Sequence, residues 1–161
     1  MQNLNERFAV IPEIVSQSGT QTSTTNSDAD VVGSSVQVDN KPAAGTCYRI
    51  TIAGVLSGGN AAHTIDLHLG GTTLITLTND DVTAGDWIAE FMVMILDSNN
   101  QRIMGTMQTN ALDCESDYAA ATVNLSSGGE LKAVICSGNG SDTVTTEMVV
   151  VEKWVMELTE S

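Results

Sequence analysis

From about residue 30 onward, the sequence consists of short runs of β-branched and aliphatic residues separated by clusters of Gly, Asn, Asp and Ser. This spacing is typical of strands joined by tight turns. In the run 47–56, Tyr48, Ile50 and Ile52 fall on one face of an extended chain and Arg49 falls on the other. Such period-two alternation predicts a strand with one face in a core.

Eight main strands are predicted in this part of the chain. They are residues 47–56, 63–69, 72–78, 87–96, 102–109, 119–125, 130–136 and 143–158. The pair Gly70 and Gly71 predicts a two-residue hairpin turn between the second and third strands. Because 161 residues suffice for one core, we expect an all-β fold with a single jelly-roll-like two-sheet β-sandwich. An immunoglobulin-like sandwich has similar strand spacing.

The first 40 residues differ from the rest of the chain. Residues 16–28 carry no apolar side chain, so this stretch gains little by packing. A small apolar cluster precedes it: Phe8, Val10, Ile11, Ile14 and Val15. We therefore predict an extended amino-terminal arm over 1–40 and a β-sandwich body over 41–161. In this interpretation the apolar cluster anchors the arm to a partner, while in the alternative the arm lies along its own body.

Two of the predicted strands are apolar on both faces. The run 87–96 is almost continuously apolar, which predicts a strand covered on both sides or packed against a neighbour. In the run 143–158 both alternating sets contain apolar side chains. One face can join the core, and the other indicates a contact between subunits. The interface candidates are Val149, Val151, Trp154 and Val155.

The charge of the chain argues against several classes of partner. Six Lys and Arg residues against twenty Asp and Glu residues give a formal net charge of −14. Nucleic acid and anionic membranes both require a cationic surface, so neither is an expected partner. The longest apolar stretches are about half the roughly 20 residues that a membrane-spanning helix needs. The amino terminus lacks the order of a secretory signal, which favours synthesis in the cytoplasm.

No residue pattern in the sequence predicts catalysis, a cofactor or a metal. His63, Asp66 and His68 form an HxxDxH string, but on a strand just Asp66 and His68 point the same way. Two ligands are too few for a zinc site. Neither histidine has the sequence context of a hydrolase triad. We therefore expect a protein that is not an enzyme, with no metal and no cofactor.

The three cysteines are far apart and odd in number, which favours neither a disulfide framework nor a zinc knuckle. Cys47 and Cys136 lie within apolar runs, where a thiol acts as a small hydrophobic group. A disulfide or a reactive thiol remains the alternative.

The layout of several segments resembles a known family. These segments are Gly45-Thr-Cys-Tyr-Arg-Ile-Thr-Ile-Ala-Gly54, the Gly-Gly hairpin, Trp87-Ile-Ala-Glu-Phe, and the closing Thr143-Val-Thr-Thr-Glu-Met-Val-Val-Val. Over residues 45–158 their order resembles tailed-bacteriophage virion proteins of jelly-roll type, in particular the capsid decoration (cement) proteins.

The resemblance implies a structural protein on the exterior of a phage capsid, made in the host cytoplasm. The partners it implies are the major capsid protein and other copies of this chain, often as a homotrimer. The arm would link neighbours or grip the shell. The alternative is an adhesin associated with a tail or head fibre or spike, whose sandwich binds a receptor or a sugar.

Overall fold

The computed structural model describes residues 12–19, 22–58, 62–79, 84–110 and 114–155. Every regular element found in these ranges is a β-strand. The strands are β1 (Glu13–Ser18), β2 (Thr22–Thr24), β3 (Ala29–Asp30), β4 (Val36–Val38), β5 (Thr46–Ser57), β6 (His63–Leu69), β7 (Thr72–Asn79), β8 (Ala84–Asp97), β9 (Asn100–Thr109), β10 (Cys114–Ala121), β11 (Gly129–Ser137) and β12 (Thr143–Val155). Within the described ranges, no helix is long and apolar enough to cross a membrane.

The strands form two antiparallel sheets. The seven-stranded sheet has the order β1-β12-β5-β8-β9-β10, and β2 also pairs with β12. The five-stranded sheet has the order β3-β11-β6-β7, and β4 also pairs with β11. The two sheets enclose one hydrophobic core. The predicted all-β, jelly-roll-like two-sheet β-sandwich is confirmed.

The core is built from alternate residues of both sheets. On β5, Tyr48, Ile50 and Ile52 are fully buried, and on β6 the residues Leu67 and Leu69 are fully buried. Burying a Leu or Ile side chain contributes about 1.5–3 kcal/mol relative to leaving it exposed. The alternation predicted for these two strands is therefore confirmed.

A tight hairpin joins β6 to β7. Gly70 and Gly71 have φ values of 57° and 80°, and a two-residue turn with positive φ at both positions has the twist that such a hairpin needs. The predicted turn is confirmed. The turn pairs Leu69 with Thr72 and His68 with Thr73, and a shift of register between His68 and Leu67 then places Leu67 opposite Ile75.

One predicted strand is displaced. The prediction was 119–125, whereas β10 spans Cys114–Ala121 and pairs with β9 over its whole length. The last apolar residues of the predicted strand, Val123 and Leu125, lie in the loop that follows β10. There Leu125 is fully buried, and its backbone N–H donates to the carbonyl of Ser98. Leu125 therefore contributes to the core from a loop.

The described part of the predicted arm lies on the sandwich. β1 and β2 pair with β12, and β3 and β4 pair with β11. The hydroxyl of Ser16 also donates a 2.6 Å hydrogen bond to the carbonyl of Gly33. These segments therefore form the edges of the two sheets, as in the alternative in which the arm lies along its own body. The division between arm and body at residue 40 stays a prediction, and Phe8, Val10 and Ile11 lie outside the described residues.

Candidate functional site

The solvent side of the seven-stranded sheet is ordered by strand register. Met92 on β8 lies between Arg49 on β5 and Met104 on β9, and Met104 lies next to Tyr118 on β10. Directly opposed residues of antiparallel strands project from the same face of a sheet. These four side chains therefore form one row across the sheet, on the side away from the core.

Much of this surface is apolar and exposed. We call it the methionine face and define it by Ile14, Ile88, Met92, Met94, Met104, Tyr118 and Met148. Exposed fractions reach 45% for Met104, 43% for Ile88 and Met148, and 64% for Tyr118. Scattered apolar side chains on a surface are ordinary, but Met92, Met104 and Tyr118 form a continuous row across three strands, which makes this a candidate binding surface. Ile88 and Met148 lie beyond the polar row of Thr51, Glu90 and Thr106. Methionine suits such a surface because its flexible thioether adapts to a partner.

The methionine face is additional to a complete core. On β8 the alternate set Ala89, Phe91 and Val93 is buried to 1% exposure or less. The residues between them, including Ile88 and Met92, point outward and are exposed or half-buried. The run was predicted to be covered on both faces or to lie against a neighbour. The core covers its inner face. The residues that the structure describes leave the second side partly open.

One corner of the outer surface is covered by side chains. Both Nε and Nη2 of Arg49 lie against Oε2 of Glu152, at 2.6 and 2.5 Å, and the guanidinium lies 5.8 Å from the centre of the Trp154 ring. Cys47 is directly opposite Trp154 and is 1% exposed. Burial raises the pKa of the Cys47 thiol, which favours its uncharged form. This thiol therefore behaves as a small hydrophobic group, as predicted.

Two adjoining hollows indent the β8–β9–β10 side of this surface. The larger, of about 370 Å³, is lined by Ile88, Glu90, Thr106, Gln108 and Cys114. The smaller, of about 270 Å³, is lined by Asp86, Trp87, Ile88, Gln108, Thr109 and Asn110. They share Ile88 and Gln108, and we call the two together the end groove. It is open to solvent, with one apolar side chain in its middle and polar side chains around it.

The polar groups of the end groove are incompletely satisfied. Neither Asp86 nor Glu90 forms an ion pair with any residue in the described ranges. Trp87 and Thr109, which alternate with Ile88 and Gln108, are 3% exposed, and their indole Nε1 and hydroxyl, unpartnered in the same ranges, lie on the core side of the sheet. The groove itself therefore carries acidic groups without a counter-charge among the described residues.

The structure corrects half of the interface prediction on β12. Val149 and Val151 are fully buried, opposite Ile52 and Ile50 of β5, and belong to the core. Their selection as interface candidates was wrong, because their side of β12 faces the other sheet. Trp154 is half-buried on the outer side of β12, next to the methionine face. Val155 is 40% exposed at the end of the strand.

The two described residues of the predicted arm anchor differ in burial. Ile14 is 58% exposed and pairs with Glu152, which places it at the edge of the methionine face. Val15 is half-buried and packs against the core.

The HxxDxH string is split between the two sides of the five-stranded sheet. Asp66 and His68 share the outer side, with Oδ2 and Nε2 3.8 Å apart, as predicted. His63 points inward, is 2% exposed, and burial lowers its pKa. Among the described residues, no group of three or more His, Cys, Asp or Glu side chains is placed to hold a metal ion.

Sequence reasoning missed the methionine face itself. The outward positions of β8 read Ile88, Glu90, Met92 and Met94, and the run was apolar enough for both sides to be predicted as covered. The signal that could have separated the two sides is the methionine content of one alternating set. The other set holds the aromatic and β-branched residues that fill cores.

Comparisons with known proteins bear on the fold. No protein-family model and no curated protein matches the chain. Among solved structures, peanut lectin with a nine-residue peptide is similar over 90% of this chain and 99% of its own, at 7% identity and a TM-score of 0.38. A legume lectin-like domain from Entamoeba histolytica is similar over 81% and 88%, at 10% identity and a TM-score of 0.35.

A third structure belongs to an enzyme. A fructofuranosidase from Schwanniomyces occidentalis is similar over 90% of this chain and 34% of its own, at 8% identity and a TM-score of 0.35. The three similarities concern the two-sheet architecture alone.

Proposed function

We propose that this chain is a non-enzymatic virion structural protein that binds the outside of a phage capsid and stabilises it by linking neighbouring shell subunits. The observation that carries the proposal is the methionine face, a set of exposed and half-buried apolar side chains on the outside of a sheet whose inner side already fills the core. The likeness of residues 45–158 to capsid decoration proteins supplies the kind of partner.

The size of the outer surface suits a small protein contact. Six strands about 4.8 Å apart, with four outward residues about 6.8 Å apart on each, give a flat area of about 500 Å². Contact over that area would remove on the order of 1,000 Å² from water on the two partners together, which is the lower range of specific interfaces. On a lattice of repeated sites such contacts add, because each copy bridges subunits that are already held in place.

The charge of the chain is compatible with this role. An acidic protein with a formal charge of −14 is better tolerated on the exterior of a particle than beside packaged nucleic acid. Within the outer surface, Arg49 is neutralised by Glu152, so the apolar centre is not flanked there by an unbalanced charge.

The arm anchor belongs to the same proposal. Ile14 is exposed at the β1 edge and lies on the same side of the sheet as Met92, through the row that contains Glu152 and Arg49. A partner seated on the methionine face would also meet the start of the arm. We therefore propose that the apolar cluster around Ile14 adds to the contact with the shell or with an adjacent copy in a homotrimer.

The proposal is tested by counting copies of this chain in purified phage particles with quantitative mass spectrometry, relative to the major capsid protein. Hundreds of copies in a fixed ratio to the shell protein are expected. A handful of copies would instead indicate the alternative role in a tail or fibre, and none would remove the chain from the virion.

A further inference from the structure

The end groove surrounds Ile88. On the outer side of the sheet, Ile88 is flanked by Ala53 on β5 and by Gln108 on β9, and Gln108 is opposite Cys114 on β10. Ile88 therefore stands in the middle of a hollow and remains 43% exposed. An apolar side chain from a partner can contact Ile88 there without displacing any strand.

The charge of the groove is one-sided. Asp86 and Glu90 both lie on its rim without an ion-pair partner among the described residues. The nearest basic side chains of the same outer surface are Arg49 and Arg102, which lie opposite Met92 and Met94, further along β8. Arg49 is already paired with Glu152. The groove therefore presents negative charge that complements a Lys or Arg side chain.

The spacing of these groups matches an extended chain. Ile88 and Glu90 are two residues apart on one strand, so their side chains project from the same face about 6.8 Å apart. A partner segment lying along β8 in an extended conformation has the same repeat. If its apolar side chain covers Ile88, the side chain two residues away reaches Glu90.

We propose that the end groove binds an extended segment of the capsid shell protein in which an apolar residue and a Lys or Arg stand two residues apart. The inference rests on the proposed function and adds the chemistry of the segment that is recognised. The apolar residue contacts Ile88, and the basic residue two positions away pairs with Glu90. The rest of the methionine face supplies the broader contact with the same shell surface.

The direct test is photo-crosslinking on assembled particles. Gln108, which is exposed and lines both hollows, is replaced by benzoylphenylalanine in the full chain, which is then bound to particles and irradiated. Two further single replacements serve as references: Met104 in the methionine face and Thr76, exposed on the opposite sheet. Crosslinked peptides are identified by mass spectrometry.

The expected result is a crosslink from position 108 to a shell segment with the apolar-x-basic pattern. A crosslink from position 108 to another copy of this chain, to its residues 1–11, or to a segment without Lys or Arg would overturn the inference. Crosslinks from position 104 alone would overturn it and leave the proposed function standing. Crosslinks to the shell from neither position would contradict both.

A matched pair of charge reversals tests the electrostatic part. Glu90→Lys, on the groove rim, should weaken binding to particles at least tenfold, and Glu90→Gln should weaken it less. Glu130→Lys makes the same charge change on an exposed residue of the five-stranded sheet and should leave binding within twofold. Equal losses for Glu90→Lys and Glu130→Lys would show that overall charge matters and not the groove, and would contradict the inference.

Discussion

The outer surfaces of the two sheets differ in chemistry although their inner surfaces are alike. On the five-stranded sheet, Nζ of Lys132 lies 2.6 Å from Oδ2 of Asp30, and the hydroxyl of Thr73 lies 3.2 Å from Nε2 of His68. On the seven-stranded sheet, Met92 and Met104 face solvent between β5 and β10. One outer surface is thus linked by polar side chains, and the other is largely apolar.

This difference distinguishes the apolar residues that build the core from those that the core does not need. A two-sheet sandwich needs one apolar side on each sheet, and both sheets provide it. The five-stranded sheet shows that this chain can form a stable strand with threonine and charged residues outside. The apolar side chains on the outside of the seven-stranded sheet are therefore not required for the sandwich, and under the proposed function they are the ones that contact another protein.

The largest effect on the free energy of unfolding is expected from residues on the inner side of β8, compared with residues on its outer side. Phe91→Ala removes a fully buried ring from the core and should lower the free energy of unfolding by about 3–5 kcal/mol. Met92→Ala, its outward neighbour, should change it by about 0.5 kcal/mol or less. Urea unfolding of both variants measures the difference. A comparable loss for Met92→Ala would mean that the outer side is needed for the fold.

The next effect concerns binding and compares the two outer surfaces. Met104→Asp places a charge in the methionine face and should weaken binding to particles about 30-fold, the size of an interface hot spot of about 2 kcal/mol. Thr76→Asp makes the corresponding change at an exposed position of the five-stranded sheet and should not alter binding. Sedimentation of each variant with particles gives the affinities. A loss of affinity confined to Thr76→Asp would show that the five-stranded sheet binds the particle, and it would contradict the proposal.

The inner side of β6 should confer a pH dependence through His63. Because burial lowers the pKa of His63 in the folded chain, the unfolded chain binds the proton more readily. The free energy of unfolding therefore has its full value above the ordinary histidine pKa of about 6.5, and it decreases as the pH falls below that value.

The slope from this one residue cannot exceed about 1.4 kcal/mol per pH unit. Unfolding by urea between pH 7.5 and pH 5 should show a smaller decrease in stability for His63→Leu than for the unmodified chain. An identical pH dependence in the two proteins would contradict the assignment to His63.

The smallest effect compares the ion pairs of the two outer surfaces. Arg49 and Glu152 are both partly buried and Trp154 lies beside them, so a double-mutant cycle should give a coupling of about 1 kcal/mol. Lys132 and Asp30 are on the other sheet, where the Asp30 side chain is 65% exposed, and their coupling should be about 0.5 kcal/mol or less. The reverse order would indicate that the Arg49 corner is more hydrated than the structure shows.

The sequence predicted the elements whose signal is local. The β6–β7 hairpin follows from alternation and from two glycines that permit positive φ. β10 was misplaced because its residues, CESDYAAA, include few strand-forming types, and pairing with β9 determines its conformation. The short strands β1–β4 were not predicted, because they form by pairing with β11 and β12 and pairing is not visible in the local sequence.

The site was less predictable than the fold. Where both alternating sets of a strand are apolar, the sequence cannot tell which set faces the core. Val149 and Val151 were assigned to an interface, but their partners across β5 place them inside. The side of β12 that carries Met148 and Trp154 is the outer one. That choice depends on the packing of the second sheet, which no local pattern encodes.

The most direct test of whether the methionine face contacts the particle is methionine oxidation by peroxide. It is measured by mass spectrometry on the free chain and on the particle-bound chain. Oxidation follows exposure, so Met104 and Met148 should react in the free protein while Met107, 3% exposed, should not. We expect Met104 and Met148 to become protected on the particle. Oxidation of both at the same rate in the bound and the free chain would show that the methionine face is not the contact surface.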